Sequence, residues 1–168
     1  MLKYAVALIA SATAMKSDVD LIKQGEGLRT CTYKDTMGIK TVCYGFNLER
    51  GNARGLVQKA GANYDQLNRV GACTTQAVCD KLLNDEVYNA RQIVKSQYGS
   101  SIKCKAAEAV VTDLAYNLGS GGLSQFKKFK AAIQSQNWSQ AANELNNSAY
   151  CRQVGTRCTR NKAQIKEC

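Results

Sequence analysis

Eight cysteines, at positions 31, 43, 73, 79, 104, 151, 158 and 168, run through most of this 168-residue chain, and they restrict its possible folds more than any other feature. An even set at this density points to an oxidising compartment and as many as four disulfides. Whatever the fold, it must bring distant segments together in pairs. Zinc ligation is the rival use of cysteine, and the chain argues against it. There is no histidine, Cys73 and Cys79 lie six residues apart, Cys151 and Cys158 seven, and no C-x-x-C spacing occurs. Zinc sites rely on those ligand types and spacings, so neither a metal nor a cofactor is expected.

The first residues support the same compartment. Lys3 provides a basic start, Tyr4 to Ala10 form an apolar run, and Ala12-Thr13-Ala14 has the small-x-small form of a signal-peptidase site. Residues 1–14 are therefore expected to be a signal peptide, and residues 15–168 a single globular domain of a secreted protein, or of one delivered to a digestive vacuole by secretion. An uncleaved membrane anchor and a segment packed on the fold are the alternative uses of the same stretch. The net charge is +10, from 23 Lys+Arg against 13 Asp+Glu. Such a balance suits an anionic partner. The basic residues are scattered, with Lys127, Lys128 and Lys130 the densest group. They read as a solvated surface rather than a nucleic-acid face.

Ser17 or Asp18 can cap a short helix carrying Val19, Ile22 and Lys23 to a break at Gly25-Glu26-Gly27, which leaves Glu26 in open space. Residues 30–33 and 40–44 are β-branched or aromatic, and the turn-forming residues 35–38 lie between them, so a β-hairpin or small sheet is expected in the N-terminal part. Residues 48–72 allow only short helices and loops. Thr74 or Thr75 then caps a long helix to about residue 97, with Val78, Leu82 and Val94 on its buried stripe. The helix expected over 103–118 is the most apolar, with Ala107, Val110, Val111, Leu114, Ala115 and Leu118 at helical spacing, and Gly119-Ser120-Gly121-Gly122 should end it. Further helices are expected near 124–136, 138–147 and 156–167. The fold class is α+β, mainly α.

Three residues on the first helix end and the hairpin carry candidate chemistry. Glu26 can be withdrawn from water at a helix end and hold a proton, as a general acid must. Asp35 and Thr41, on the two arms of the hairpin, can accept and orient one water. An acid and a base carboxyl are the minimum equipment for cleaving a glycosidic bond. The plainer reading stays open on these residues alone: Glu26 pairs with a surface arginine, and Asp35 only shapes the turn.

The motifs Glu26-Gly-Leu-Arg29, Tyr33-Lys-Asp35-Thr-x-Gly38 and Thr41-Val-Cys43-x-Gly45 together resemble the active-site segment of the phage-type lysozymes, a muramidase family. The resemblance continues through Tyr116-Asn-Leu-Gly-Ser-Gly121, Trp138 with its Ala-Ala helix, and the basic terminal helix, over roughly residues 16–168. It implies a lysozyme-like fold of two lobes, about 15–74 and 98–168, joined by the helix at about 75–97. By the same resemblance Glu26 is the general acid, and Asp35 with Thr41 positions the attacking water of an inverting reaction. Tyr116 and Asn117 line the cleft against substrate sugar. An arginine near the start of the last helix pairs with the acid; Arg157 and Arg160 both fit, with Arg157 favoured. The family usually carries His where this chain has Phe46. Glu86, a possible partner of that His, is then expected to be an ordinary surface carboxylate.

The resemblance also suggests disulfide pairings. Cys43 with Cys79 matches positions in related endolysins, which leaves Cys31 for Cys73; the rival set is Cys31–Cys43 with Cys73–Cys79. In the second lobe, antiparallel packing of the core and last helices would join Cys104 to Cys168 and leave Cys151 for Cys158. Eight cysteines allow on the order of a hundred pairings.

The activity implied is hydrolysis of the β-1,4 bond between N-acetylmuramic acid and N-acetylglucosamine in bacterial peptidoglycan by a secreted, bacteriolytic monomer. No nucleic-acid partner and no lasting membrane association are expected. The alternatives are a phage endolysin with an N-terminal signal-anchor and a non-enzymatic cationic wall-binding protein. Vertebrate-type lysozymes also carry eight cysteines, but their two carboxylates are much farther apart in sequence than Glu26 and Asp35.

Overall fold

A computed structural model describes residues 15–168, so the signal peptide expected at residues 1–14 lies outside the described residues. Helix α1 (Asp18–Glu26) opens with Ser17 as N-cap: the Ser17 and Asp20 side chains reciprocally satisfy each other's backbone N–H groups. Strands β1 (Arg29–Lys34), β2 (Lys40–Cys43) and β3 (Phe46–Asn47) form an antiparallel sheet in the order β1-β2-β3. The small sheet expected around residues 30–44 is present, with the two-residue β3 as its third strand. Beyond β1, the segment 71–74 runs alongside it: Thr32 donates to the Ala72 carbonyl, Gly71 to Thr32 and Thr74 to Thr30. Two short helices follow the sheet, α2 (Ala53–Ala60) and α3 (Tyr64–Leu67).

Helix α4 (Gln76–Tyr98) starts at Thr75, whose hydroxyl accepts from the Val78 N–H. Its buried stripe serves two cores in succession. Cys79, Leu82, Leu83 and Val87 pack with Ile22, Val42, Phe46, Leu48 and Val57, whereas Ala90, Val94 and Tyr98 pack with the C-terminal helices. One helix therefore carries both lobes. Helix α1 is also shared between them, because Leu21 enters the C-terminal core and its neighbour Ile22 the N-terminal one.

Helix α5 (Lys105–Ser124) is the centre of the second lobe, with Ala107, Val110, Val111 and Leu114 fully buried. The regular helix ends at the glycine run as expected: Gly119 takes φ 65° and ψ −177°, which is not helical, and a second helical stretch then runs on to Ser124. Around it pack α6 (Lys127–Gln134), α7 (Trp138–Asn146), α8 (Ala149–Val154) and α9 (Thr156–Ile165). Phe129, Ile133, Leu145 and Ile165 are fully buried there, each contributing roughly 1.5–3 kcal/mol.

Four disulfides close the structure: Cys31–Cys73, Cys43–Cys79, Cys104–Cys168 and Cys151–Cys158. The rival pairing across the hairpin is not formed. The bridges span very different lengths of chain, 64 residues for Cys104–Cys168 and 7 for Cys151–Cys158. Because the unfolded chain loses more freedom when the longer loop is closed, replacing both cysteines of the first pair by alanine should cost about 4 kcal/mol, and of the second about 2.5 kcal/mol. Denaturant melts of the two double variants check that order.

Candidate active site

Glu26 is the last residue of α1, and its position depends on two glycines that do different work. Gly25 lies inside the helix rather than breaking it. A Cβ there would fall 2.8 Å from both Cζ and Nε of Arg157, so only glycine lets the arginine lie against α1. Gly45, at φ +84° in the turn after β2, brings bare backbone toward the carboxylate; a Cβ there would sit 3.4 Å from Glu26 Oε2. Glu26 is therefore not free in open space, since its side chain keeps only 22% of its exposure. Arg157 Nη1 donates to Oε1 at 2.7 Å, which leaves Oε2 as the oxygen on the Gly45 side. Gly25→Ala should push Arg157 off α1 and cut activity well below the wild-type level while the sheet persists, as wall-clearing rates and circular dichroism would report.

The arginine is itself held from behind. Asp113, on the most apolar helix, is completely buried and accepts from Arg157 Nε at 3.1 and 3.2 Å, from Nη2 at 2.6 Å and from Asn161 Nδ2 at 2.7 Å. Burial alone would lower the pKa of the Arg157 guanidinium, but the bonds to Asp113 and Glu26 outweigh that and hold it above its ordinary value. Of the two arginines suggested by sequence, Arg157 thus makes the ion pair. Arg160 instead donates to the Gln24 carbonyl at 3.3 Å.

At the hairpin, Asp35 Oδ1 accepts from the backbone N–H groups of Met37 and Ile39 at 2.8 and 2.9 Å. Thr41, 4% exposed, donates its hydroxyl proton to the Ile39 carbonyl at 3.1 Å. The register pairs Tyr33 with Thr41, and the Asp35 N–H bonds the Ile39 carbonyl. The two-residue period of the strands therefore puts Asp35 and Thr41 on one face. With Oδ1 occupied and the Thr41 proton committed, Asp35 Oδ2 and Thr41 Oγ1 are left as acceptors. A water bound between two acceptors gives them both its protons and turns its lone pairs outward.

Tyr116 is half-buried and is held by the protein itself. Its hydroxyl donates to the Tyr44 carbonyl at 2.9 Å, and its ring packs against both hydrophobic cores. Burial, reinforced by the nearby Glu26 charge, pushes the pKa of this phenol well up, so it remains a proton donor. Tyr44 is fixed from its other end, where its own hydroxyl donates to Asp80 at 3.0 Å. Lys23 bonds the same carboxylate at 2.7 Å, and that bond holds Asp80 below the usual carboxylate range. The turn carrying Gly45 is thus fastened to both lobes. Asn117 is exposed.

Phe46 and Glu86 also depart from expectation. Glu86 is not an ordinary surface carboxylate: it receives two bonds from Arg50, at 2.6 and 2.8 Å, and the Arg50 guanidinium lies 4.3 Å over the Phe46 ring. A cation stacked on the aromatic face takes the place of a histidine ion pair.

Comparison with known proteins now bears on the site. The family model described as Phage lysozyme matches residues 23–162, which run from the last turn of α1 through the hairpin and into α9. The chain belongs to the phage lysozyme family. A relative named "Probable T4-type lysozyme 1", from Dictyostelium discoideum, is 23% identical over 150 residues, covering 84% of this chain and 88% of the relative. Family membership and this relative together support a lysozyme-like glycosidase.

Asp113 and Asn161 are the positions of this phage lysozyme site that sequence reasoning passed over, and Gly25 and Gly45 were noted there without these roles. A lone carboxylate amid Val110, Val111, Leu114 and Ala115 was a visible signal for the first, since an unpaired charge is not left on a buried face.

Proposed function

We propose that the protein hydrolyses the β-1,4 bond between N-acetylmuramic acid and N-acetylglucosamine in bacterial peptidoglycan, with inversion at the sugar carbon. Glu26 gives the proton on Oε2 to the glycosidic oxygen as the carbon–oxygen bond breaks. Water held by Asp35 Oδ2 and Thr41 Oγ1 attacks the opposite face of that carbon and passes its surplus proton to Asp35. The observation carrying this reading is the state of the two carboxyls: each has one oxygen bonded by the protein, Glu26 to Arg157 and Asp35 to backbone N–H groups. Each keeps one oxygen for a single task, and no covalent sugar on Asp35 is required.

The net charge of +10 suits an anionic wall, and four disulfides suit a secreted, bacteriolytic protein facing proteases. Mass analysis of peptidoglycan fragments tests the bond, and proton NMR of the first product formed tests the stereochemistry. Fragments ending in a reducing N-acetylmuramic acid with the α anomer appearing first are expected. Cleavage on the other side of that sugar, or first appearance of the β anomer, would overturn the assignment. Amino-terminal sequencing of the secreted protein should begin at Met15.

A further inference from the structure

The general acid of a glycosidase must carry its proton in one part of the cycle and lose it in another. Arg157 makes this difficult at Glu26. Its side chain keeps 8% of its exposure, and a guanidinium that deeply placed needs an anion beside it at every stage. If Glu26 were its only partner, each protonation of Glu26 would leave a buried cation uncompensated, and the site would resist the state that catalysis requires.

Asp113 removes that conflict. It is fully buried, takes three of the guanidinium contacts and is steadied by Asn161, one turn beyond Arg157 on the same face of α9. Arg157 and Asp113 form a closed pair of zero net charge. Glu26 attaches to this pair through the one remaining nitrogen, Nη1. We propose that Asp113 is the resident counter-ion of Arg157 and a positioning residue for the reaction, aiming Nη1 at Glu26 while leaving Glu26 free to change protonation state.

The other groups around this network do not compete for the role. Tyr150 on α8 and Tyr116 on α5 both have their pKa raised by burial and stay uncharged. Arg160 on α9 turns to the Gln24 carbonyl, and Arg50 and Glu86 close on each other.

The proposal rests on the glycosidase reading, but its deciding measurement needs no substrate. Carboxyl-labelled glutamate in the full protein allows Glu26 to be titrated by carbon-13 NMR. In Asp113→Asn, which keeps the shape and loses the charge, Glu26 becomes the sole anion of Arg157. Its titration midpoint should fall by about one pH unit or more relative to wild type. The alkaline limb of the kcat/KM profile should move in the same direction. An unchanged midpoint would overturn the proposal, since a purely structural role lowers the melting temperature without moving it.

If the single variant does not fold, Asp113→Asn combined with Arg157→Gln removes both charges together. There the midpoint should stay at or above the wild-type position, and a fall would be equally decisive against the proposal. Failure of the glycosidase reading would show separately, as wild-type protein that does not cut peptidoglycan.

Discussion

Glu26→Gln should lower kcat on peptidoglycan by about 10²- to 10⁴-fold, the usual contribution of a positioned general acid. The amide oxygen can still accept from Arg157 Nη1, so the bond that now joins Oε1 to the arginine at 2.7 Å is preserved. What disappears is the acidic proton opposite Gly45. Clearing of cell-wall suspensions, a thermal melt and a wall-pelleting assay separate these effects: lysis should be lost, while melting temperature and wall binding stay near wild type. Full lysis by the variant would remove Glu26 from the mechanism. Equal bacterial killing by variant and wild type would favour a cationic wall-binding protein instead.

Arg157→Met should produce a large loss of stability for a single substitution. It strands Asp113, a carboxylate with no solvent exposure whose remaining side-chain partner is Asn161. Removing one member of a buried ion pair typically costs about 3–5 kcal/mol because the other charge is left in an apolar interior. For a domain of this size that corresponds to a fall of roughly 10 °C in melting temperature. Removing both charges is a different experiment. Arg157→Met with Asp113→Leu leaves no orphaned ion, so the double variant should melt well above the single one, though without activity. A single variant as stable as wild type would mean that water reaches Asp113.

The local features of the fold were the legible ones. The cap at Thr75, the stripe along α4 and the two arms of the hairpin depend on residues within a few positions of one another, where spacing carries the information. The glycine run after Leu118 was legible as a break, but the short helical stretch that follows it, with Leu123 in the core, was not. Helix α8, only six residues long, gives too little periodicity to stand out.

At the site, Glu26, Asp35 and Thr41 lie in one short segment and could be weighed together. The contacts governing the environment of Glu26 come from far along the chain: Arg157 is 131 residues away, and Asp113 lies 44 residues before that arginine. No local pattern encodes such meetings. Gly25 was visible, yet its reason, the guanidinium filling the space a methyl would need, exists only once α9 has docked.

The segment 71–74 laid along β1, with Cys31 bonded to Cys73, has a consequence beyond the shape of the lobe. A bare outer strand is a template on which a second molecule can add its own strand, the first step toward fibrils. Here one margin of the sheet is already occupied by the chain itself and covalently tied there, and the other, β3, is two residues long. Concentrated folded protein should therefore not polymerise by strand exchange at this sheet, and aggregation through it must wait until the Cys31–Cys73 flap has been reduced and peeled away.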